Sequence, residues 1–363
     1  MGKNLSAIDF FCGAGGMTYG LSEAGIDVLA GIDVESKFKD TYTINNKNSK
    51  FINWDITQKE PYQLKEQVDI NKNDDSMIFV GCSPCQYWSK VNTDRFSSSL
   101  TKNLLYDFMK FIKYYKPGYI LIENVPGIKN KKNNYVLQDF YEFLNLNGYE
   151  HDSKIINANN YGVPQTRRRF VLLATRCLDN IELPKGNKRN DLTVRKFLGQ
   201  ENGFDPIPAG HKDKSEFIHT SSNLSDINIK RIQNTKKDGG TRMEWKDDPE
   251  LQVKGYIGKD NQFKNVYSRM FWDKPAPTIT TRFNSYSNGR FGHPEENRAI
   301  SLREGATLQT FPKNYKFRGT INSIAKQIGN AVPPKLAQIL GEHLLKQGNI
   351  CHTSEQKQEQ LTS

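Results

Sequence analysis

Cysteine is scarce in this chain of 363 residues, and the five that occur, Cys12, Cys82, Cys85, Cys177 and Cys351, are odd in number and scattered. Such a pattern builds no disulfide framework and fits a reducing compartment, so a cytoplasmic location is expected. Histidine is similarly scarce, and His151, His211, His219, His293, His343 and His352 show no ligand spacing. Cys82 and Cys85 form a Cys-x-x-Cys, yet zinc would need a second pair of ligands and no other cysteine pair exists, so no metal is expected. Long apolar runs are missing as well. No segment approaches the roughly 20 residues of a membrane span. The opening MGKNLSAIDFFCGAGG lacks the basic-then-apolar pattern of a secretory signal. Ser6 gives Gly2 only a weak match to a myristoylation signal, and strand-like residues begin at once. Internal repeats and low-complexity tracts are absent. These exclusions leave a soluble chain with no membrane partner.

The chain is polar, with 36% hydrophobic residues and a mean hydropathy of −0.70. It still carries 20 Phe, 16 Tyr and 4 Trp, enough bulk for real cores. Its length suits one large or two ordinary domains. Lys and Arg number 51 against 40 Asp and Glu, a net charge of +11 that favours a polyanionic partner.

Strand and helix alternate through the first half. SAIDFF is an apolar run closed by CGAGG, MTYGLSEAG has helical spacing, and DVLAGID is a second strand before the helical SKFKDTYTINN. FINWDIT and SMIFVG read as the third and fourth strands, and LLYDFMKFIKYYK as an amphipathic helix stopped by Pro117 and Gly118. YILIENV is a fifth strand, YVLQDFYEFLNLNGY another helix and RRFVLLATR a further strand. Strands separated by helices of this length imply an α/β fold, a parallel sheet with helices on both faces. Composition then shifts. Residues 185–297 are rich in Lys, Asn, Asp, Gly and Pro, hold 20 Lys and Arg against 15 Asp and Glu, and are expected to form a small loop-rich domain. Regular structure returns at SLREGATLQTF and in the final helix PPKLAQILGEHLLKQ. The expected organisation is therefore 1–184 and 298–348 as one domain, 185–297 as a second, and 349–363 as a frayed polar tail.

Five short segments carry chemistry. In Asp9-Phe-Phe-Cys-Gly13-Ala-Gly15-Gly16 a strand ends in glycines and opens a helix, which lets a ligand approach backbone N–H groups. A dinucleotide fingerprint would place glycine where Thr18 stands, so an S-adenosylmethionine site, with no pyrophosphate to cradle, fits better. Asp33 at the end of the second strand is placed to accept from ribose hydroxyls, and Asp55 from an adenine amino group. Gly81-Cys-Ser-Pro84-Cys85-Gln86 presents a candidate nucleophile, Cys85, on a loop at the carboxyl edge of the sheet. Glu123-Asn124-Val125 ends strand five with a candidate acid, and Gln165-Thr-Arg167-Arg168-Arg169 offers guanidinium forks. Gln327-Ile-Gly329-Asn330-Ala-Val-Pro333-Pro334 is a turn that starts the last helix. Each segment alone has a bland structural explanation.

Taken in order, DFFCGAGG, GCSPCQ, ENV, QTRRR and QIGNAVPP resemble the DNA (cytosine-5) methyltransferase family of bacterial modification type, including the variable stretch between the last two. NANNYGVPQ and NRAISLREGATLQTFPKNYKF add to the likeness, which covers roughly residues 5–175 and 270–346. The resemblance implies a Rossmann-like, mixed but mostly parallel methyltransferase sheet, a small target recognition domain, S-adenosylmethionine as cofactor and double-stranded DNA as partner. Cys85 would attack C6 of cytosine as a thiolate, Glu123 would hold N3 in its protonated form, and Arg169, with Arg167 beside it, would bind O2 and nearby backbone. The target base must be flipped out of the stack. Val34 would pack on adenine, and Phe11, Gly13, Gly15, Pro84 and Asn330 would line the cofactor pocket.

The loop after Cys85, YWSKVNTDRFSSSLTKN, has the polar character of a lid but lacks the Gly-Lys and Asp-Pro-Arg-Gly elements common in the family. Ser89 and Lys90 are the positional candidates for filling the vacated stack. In the variable domain Arg242, Arg269, Arg282 and Arg290 are candidates for base edges or phosphates. A cognate restriction endonuclease would act separately, and a monomer suffices for an asymmetric base-flipping reaction. Three alternatives remain at this point. The family's RNA branch, acting on tRNA, typically shows Cys-Phe-Thr, absent here. A catalytically silent DNA-binding relative would not need Cys85, Glu123 and Arg169, and a nicotinamide oxidoreductase is disfavoured by Thr18.

Overall fold

The computed structural model describes residues 5–83, 104–130 and 135–362, with side chains as far as residue 348. The chain divides into two compact units, one of residues 1–157, 168–187 and 332–363, the other of 158–167 and 188–331.

The first unit is built on a seven-stranded sheet. In chain order its elements are β1 (Ser6–Phe10), α1 (Gly16–Glu23), β2 (Asp27–Asp33), α2 (Lys39–Asn45), β3 (Lys50–Asn53), α3 (Leu64–Gln67), β4 (Met77–Gly81), α4 (Leu104–Tyr115), β5 (Tyr119–Asn124), α5 (Tyr135–Leu146) and β6 (Glu150–Asn157). A two-residue strand β7 (Gln165–Thr166) belongs to the other unit, and β8 (Arg168–Thr175) returns to the sheet. The strand order is β3-β2-β1-β4-β5-β8-β6. β1 to β5 pair in parallel, while β8 runs antiparallel to both β5 and β6. The sheet is thus mixed and mostly parallel, as the family resemblance implies; the alternation of strands and helices alone implies a parallel sheet, and β8 departs from that by running antiparallel.

Burial follows from this topology. β4 and β5 are buried along their whole length, as central strands covered on both faces must be. Along β1, Ile8 and Phe10 join the apolar core with α4 and α5, while Asp9 between them meets Thr18 of α1 on the opposite face. α4 buries Leu105, Phe108, Phe111, Ile112 and Tyr115, an i, i+3, i+6, i+7, i+10 stripe. Phe10 packs on Phe79, Phe108 and Phe111 with ring centroids 5.0–5.2 Å apart, seating β1 and β4 on that helix.

The second unit has little regular structure: α6 (Val194–Phe197), α7 (Asp226–Gln233), β9 (Ala276–Pro277), α8 (Leu302–Leu308), α9 (Ile321–Asn330) and several single 3-10 turns. β7 pairs in parallel with β9. α8 starts with a reciprocal cap between Ser301 and Glu304 and is buried throughout.

The compact units differ from the expected organisation in two places. Residues 158–167 and 298–331 cluster with the loop-rich unit, because Gln165 bonds Leu308 O and Gln309, and Arg167 bonds carbonyls at 279, 329 and 331. The return to the first unit comes at α10 (Pro334–Thr362), which also continues through the tail expected to fray. Beyond Gly348 that segment has no proline or glycine and is rich in Glu, Gln and Lys, which favour helix.

α10 seals α1 at very close range. A Cβ added at Gly20 would lie 2.2 Å from Pro334 O and 2.5 Å from Ala337 Cβ. Gly20→Ala should therefore force the two helices apart and cost about 1–3 kcal/mol of stability, measured as a lowered urea midpoint.

Candidate active site

The strand order reverses between β1 and β4, and the motif residues gather at the carboxyl ends of the neighbouring strands, the usual ligand crevice of such sheets. After β1 the backbone turns sharply: Phe11, Gly13 and Gly15 all have positive φ, at +63°, +54° and +89°. The Cys12 N–H donates to Ile32 O and the Gly15 N–H to Cys12 O, which fixes the turn before α1. A Cβ at Gly13 would meet nothing within 4 Å, so the turn borders open space. Asp33 holds its shape, with Oδ2 accepting from Gly13 N–H at 2.8 Å and Oδ1 from Glu35 N–H at 2.8 Å. Val34 beside it is 60% exposed, an unusual display for valine and a ready platform for a flat ring. Asn53 Nδ2 donates to the carbonyls of Asp33 and Val34, fixing that display from β3. Asp55 is exposed and uses Oδ1 to cap the turn at Thr57. An open glycine turn, an exposed apolar platform and two carboxylates suit a nucleoside with a cationic arm, and S-adenosylmethionine fits this donor set.

Beneath the turn lies a buried polar chain that sequence reasoning missed. Asp9 is fully buried, its Oδ2 accepts from Thr18 Oγ1 at 2.7 Å, and Oδ1 has no hydrogen-bond partner. Thr18 continues to Tyr42 (3.2 Å) and Tyr42 to Ser49 (2.6 Å). Burial pushes the Asp9 carboxyl up to about 7, against the pull of the Thr18 hydrogen bond.

At β4 and β5 the second group assembles. Glu123 ends β5 and Arg169 lies on the adjacent β8, with Arg169 Nε 2.9 Å from Glu123 Oε1 and both side chains about one-tenth exposed. Asn124 donates from Nδ2 to Ser83 Oγ at 3.0 Å, and its Oδ1 accepts from Val125 N–H at 2.8 Å. It thereby ties β5 to the segment that leads into Pro84 and Cys85. Burial raises the Cys82 thiol, with Asp9 and Glu123 adding to the effect, so Cys82 stays a neutral thiol. Pro84, Cys85, Ser89 and Lys90 lie outside the described residues.

A model of C-5 cytosine-specific DNA methylases matches residues 5–346. The chain belongs to the C-5 cytosine-specific DNA methylase family. It is 38% identical to the Type II methylase M.HgiDII of Herpetosiphon aurantiacus, over 93% of this chain and 94% of that one. Against the Type II methyltransferase M1.HphI of Haemophilus parahaemolyticus the identity is 29%, over 94% and 87% of the two chains. A solved structure of a prophage protein from E. coli, assigned as a DNA modification methyltransferase, superimposes with a TM-score of 0.69 at 21% identity, covering 94% of this chain and 99% of that one, which bears on the fold alone.

For a C-5 cytosine methylase, several expected residues stand elsewhere than foreseen. Arg167 is not beside Arg169: it is 1% exposed in the second unit and donates to Ile279 O, Gly329 O and Ala331 O at 2.9–3.2 Å. Its role is to hold main chain together, and only Arg169 of the two meets Glu123. Asn330 ends α9 in the same unit and is exposed. Two of the candidate DNA-reading arginines are corrected likewise. Arg269 is 1% exposed and donates to Thr235 O, His293 O, Glu296 O, Ile232 O and Asn297 Oδ1. Arg242 is 3% exposed and donates to Lys259 O and Gln262 O. A guanidinium so enclosed reaches no base. Arg290 is half-buried, bonded to Gly239 O and Arg269 O, whereas Arg282 is exposed.

Among the described residues, His293, Glu296 and Glu304 could bring three ligand atoms within 4.8 Å. Arg298 already donates to both carboxylates at 2.7–3.0 Å, so the two acids are engaged in a buried ion-pair network.

Two outcomes are expected. The raised Asp9 carboxyl keeps its proton in the folded state while the unfolded chain loses it near pH 4, so this group lowers stability progressively from pH 4 to about 7. Asp9→Asn should therefore gain on wild type in unfolding free energy across that window and stay level above it, measured by urea unfolding at stepped pH. Arg269→Met should cost about 3–5 kcal/mol, because several buried carbonyls lose their donors at once. Its thermal midpoint would report the loss.

Proposed function

We propose that this cytosine-5 DNA methyltransferase binds S-adenosylmethionine at the turn after β1, with Phe11, Gly13, Gly15, Asp33, Val34 and Asp55 as its contacts among the described residues and Pro84 as a further one. It acts on a flipped cytosine in a specific duplex sequence and protects that DNA within a restriction-modification system. The observation that carries the reading is the Glu123–Arg169 pair at the carboxyl edge, beside a Ser83 that Asn124 holds in place.

The chemistry needs a nucleophilic C5, which a conjugated cytosine lacks. Cys85, as thiolate, adds to C6 and makes C5 enamine-like. Glu123 holds the proton on N3, which increases the electrophilicity of C6. Arg169, oriented by its ion pair, is positioned to bind O2. The cofactor supplies an electrophilic methyl group. Once C5 carries the methyl group, a base such as a site water takes the C5 proton, the C–H electron pair re-forms the C5–C6 double bond, and the C6–S bond breaks to release Cys85 as thiolate. The neutral Cys82 takes no part. Ser89 and Lys90 are candidates for the gap left by the flipped base. Arg282 is the remaining exposed candidate of the four variable-domain arginines, in a second unit that serves as the target recognition domain. The enzyme works as a monomer, and any cognate endonuclease acts separately on the same sequence.

Incubation with methyl-labelled S-adenosylmethionine and either duplex DNA or tRNA tests the reading. Label is expected in duplex DNA, and label confined to tRNA would overturn it. Cys85→Ser should lose transfer by at least about 10³-fold while retaining cofactor binding, and full activity in that variant would refute the covalent step.

A further inference from the structure

Among the described residues of the second unit, two large apolar side chains stand in solvent, Ile257 at 59% and Phe263 at 56% exposure. Both lie in the segment 254–264, where Lys254, Lys259 and Lys264 are also exposed. The one acid of the segment, Asp260, faces Lys246 at 3.6 Å, so the three lysines keep their excess charge. Phe263 has a φ of +51°, a backbone state that a bulky residue rarely adopts without support.

Support comes from below. Arg242, buried, donates from Nη2 to Lys259 O at 2.9 Å and Gln262 O at 3.1 Å, on either side of the apex. Its guanidinium also lies 5.1 Å from the centre of the Tyr256 ring, and Tyr256 packs on Phe263 (5.5 Å) and Tyr267 (6.4 Å). A buried cation and an aromatic ring therefore hold rigid a segment whose tips are apolar and whose flanks are basic. Exposed apolar surface on a rigid, cationic mount suits the groove of a nucleic acid, where thymine methyls offer apolar surface among polar base edges and phosphates line both rims.

We propose that residues 254–264 enter a groove of duplex DNA, with Ile257 and Phe263 against base edges and Lys254, Lys259 and Lys264 on flanking phosphates. Arg242 is a positioning residue for this segment. The inference rests on the DNA methyltransferase reading and names the part of the recognition unit that reads sequence.

The test uses the full chain and the duplex sequence that wild type methylates, found by bisulfite sequencing, together with a singly mismatched and an unrelated duplex. Replacing the three lysines by glutamine should reduce the slope of log affinity against log salt by about 2 to 3 on every duplex alike. Ile257→Ser combined with Phe263→Ser should leave cofactor affinity, thermal midpoint and salt slope unchanged. It should raise KM for the methylated sequence and reduce the preference over the mismatched duplex by about tenfold. Arg242→Met should cause the same loss of preference, and Arg242→Lys should restore part of it. Wild-type salt slope and preference in the surface variants, while wild type methylates DNA, would overturn the proposal. So would a change in self-association without a change in DNA affinity. A wild-type enzyme that labels no duplex would instead overturn the parent reading, and this one with it.

Discussion

A guanidinium buried against main-chain carbonyls holds the second unit together. That unit has a two-residue ladder between β7 and β9 and a few short helices, so most of its loops cannot satisfy their own carbonyls through regular structure. Arginine supplies up to five donors and no acceptor, which suits it to this task. Arg269 reaches four carbonyls and an amide, Arg303 reaches Phe217, Pro312 and Tyr315, and Arg167 reaches three more. Arg303 also lies over the rings of Phe217 and Phe317, so the same cation both donates and packs. Arg298 does the equivalent for Glu296 and Glu304, beside the neutral His293. Loop conformation here is set from inside by fixed cations rather than by ladders.

The first unit solves the same problem differently. Its sheet satisfies the backbone internally, which leaves side chains at the strand ends available for shaping loops. Asp33 ties the glycine turn to β2, Asn53 ties β3 to the same place, and Asn124 ties β5 to Ser83. These are one or two hydrogen bonds from a single side chain, and each sits one or two residues from a group that the proposed chemistry uses. The side chains at these strand ends thus share the rigidity of a buried, mostly parallel sheet while remaining at its open edge.

Local pattern reveals the strands that are apolar on both faces. β1, β2, β4, β5 and β8 are readable as runs such as DVLAGID and FVLLAT, and α4 as a stripe of Leu, Phe, Ile and Tyr. β6 is not, because EHDSKIIN is a largely solvent-facing edge strand with no apolar run or alternation. β7 and β9 are too short to leave a period. The motif segments point to the glycine turn, Glu123 and Arg169, since adjacent strand ends place them together. Arg167 and Arg169 look equivalent in QTRRR, yet one is inside the second unit and the other pairs with Glu123. No spacing distinguishes a guanidinium that binds loops 110 or 160 residues away from one facing a ligand. The same ambiguity hides in the net charge of +11, part of which belongs to arginines enclosed within the second unit. The polar chain from Asp9 to Ser49 was equally invisible, because its members are separated by up to 40 positions and only meet across α1 and α2.

The close seating of α1 on α10 has a consequence for biosynthesis. α1 is translated well before Pro334 and Ala337, against which Gly20 rests, and the whole second unit is made in between. At 5–20 residues per second, a common rate of synthesis, that interval lasts on the order of 15 seconds to a minute. During it, one face of the nascent sheet has its first helix but not the helix that covers it. The loop-rich unit, all of whose residues precede Val332, can close its own arginine clamps in that time. The first unit is therefore completed last although it is begun before the second, because the helix that seats against α1 is made only after the second unit is complete.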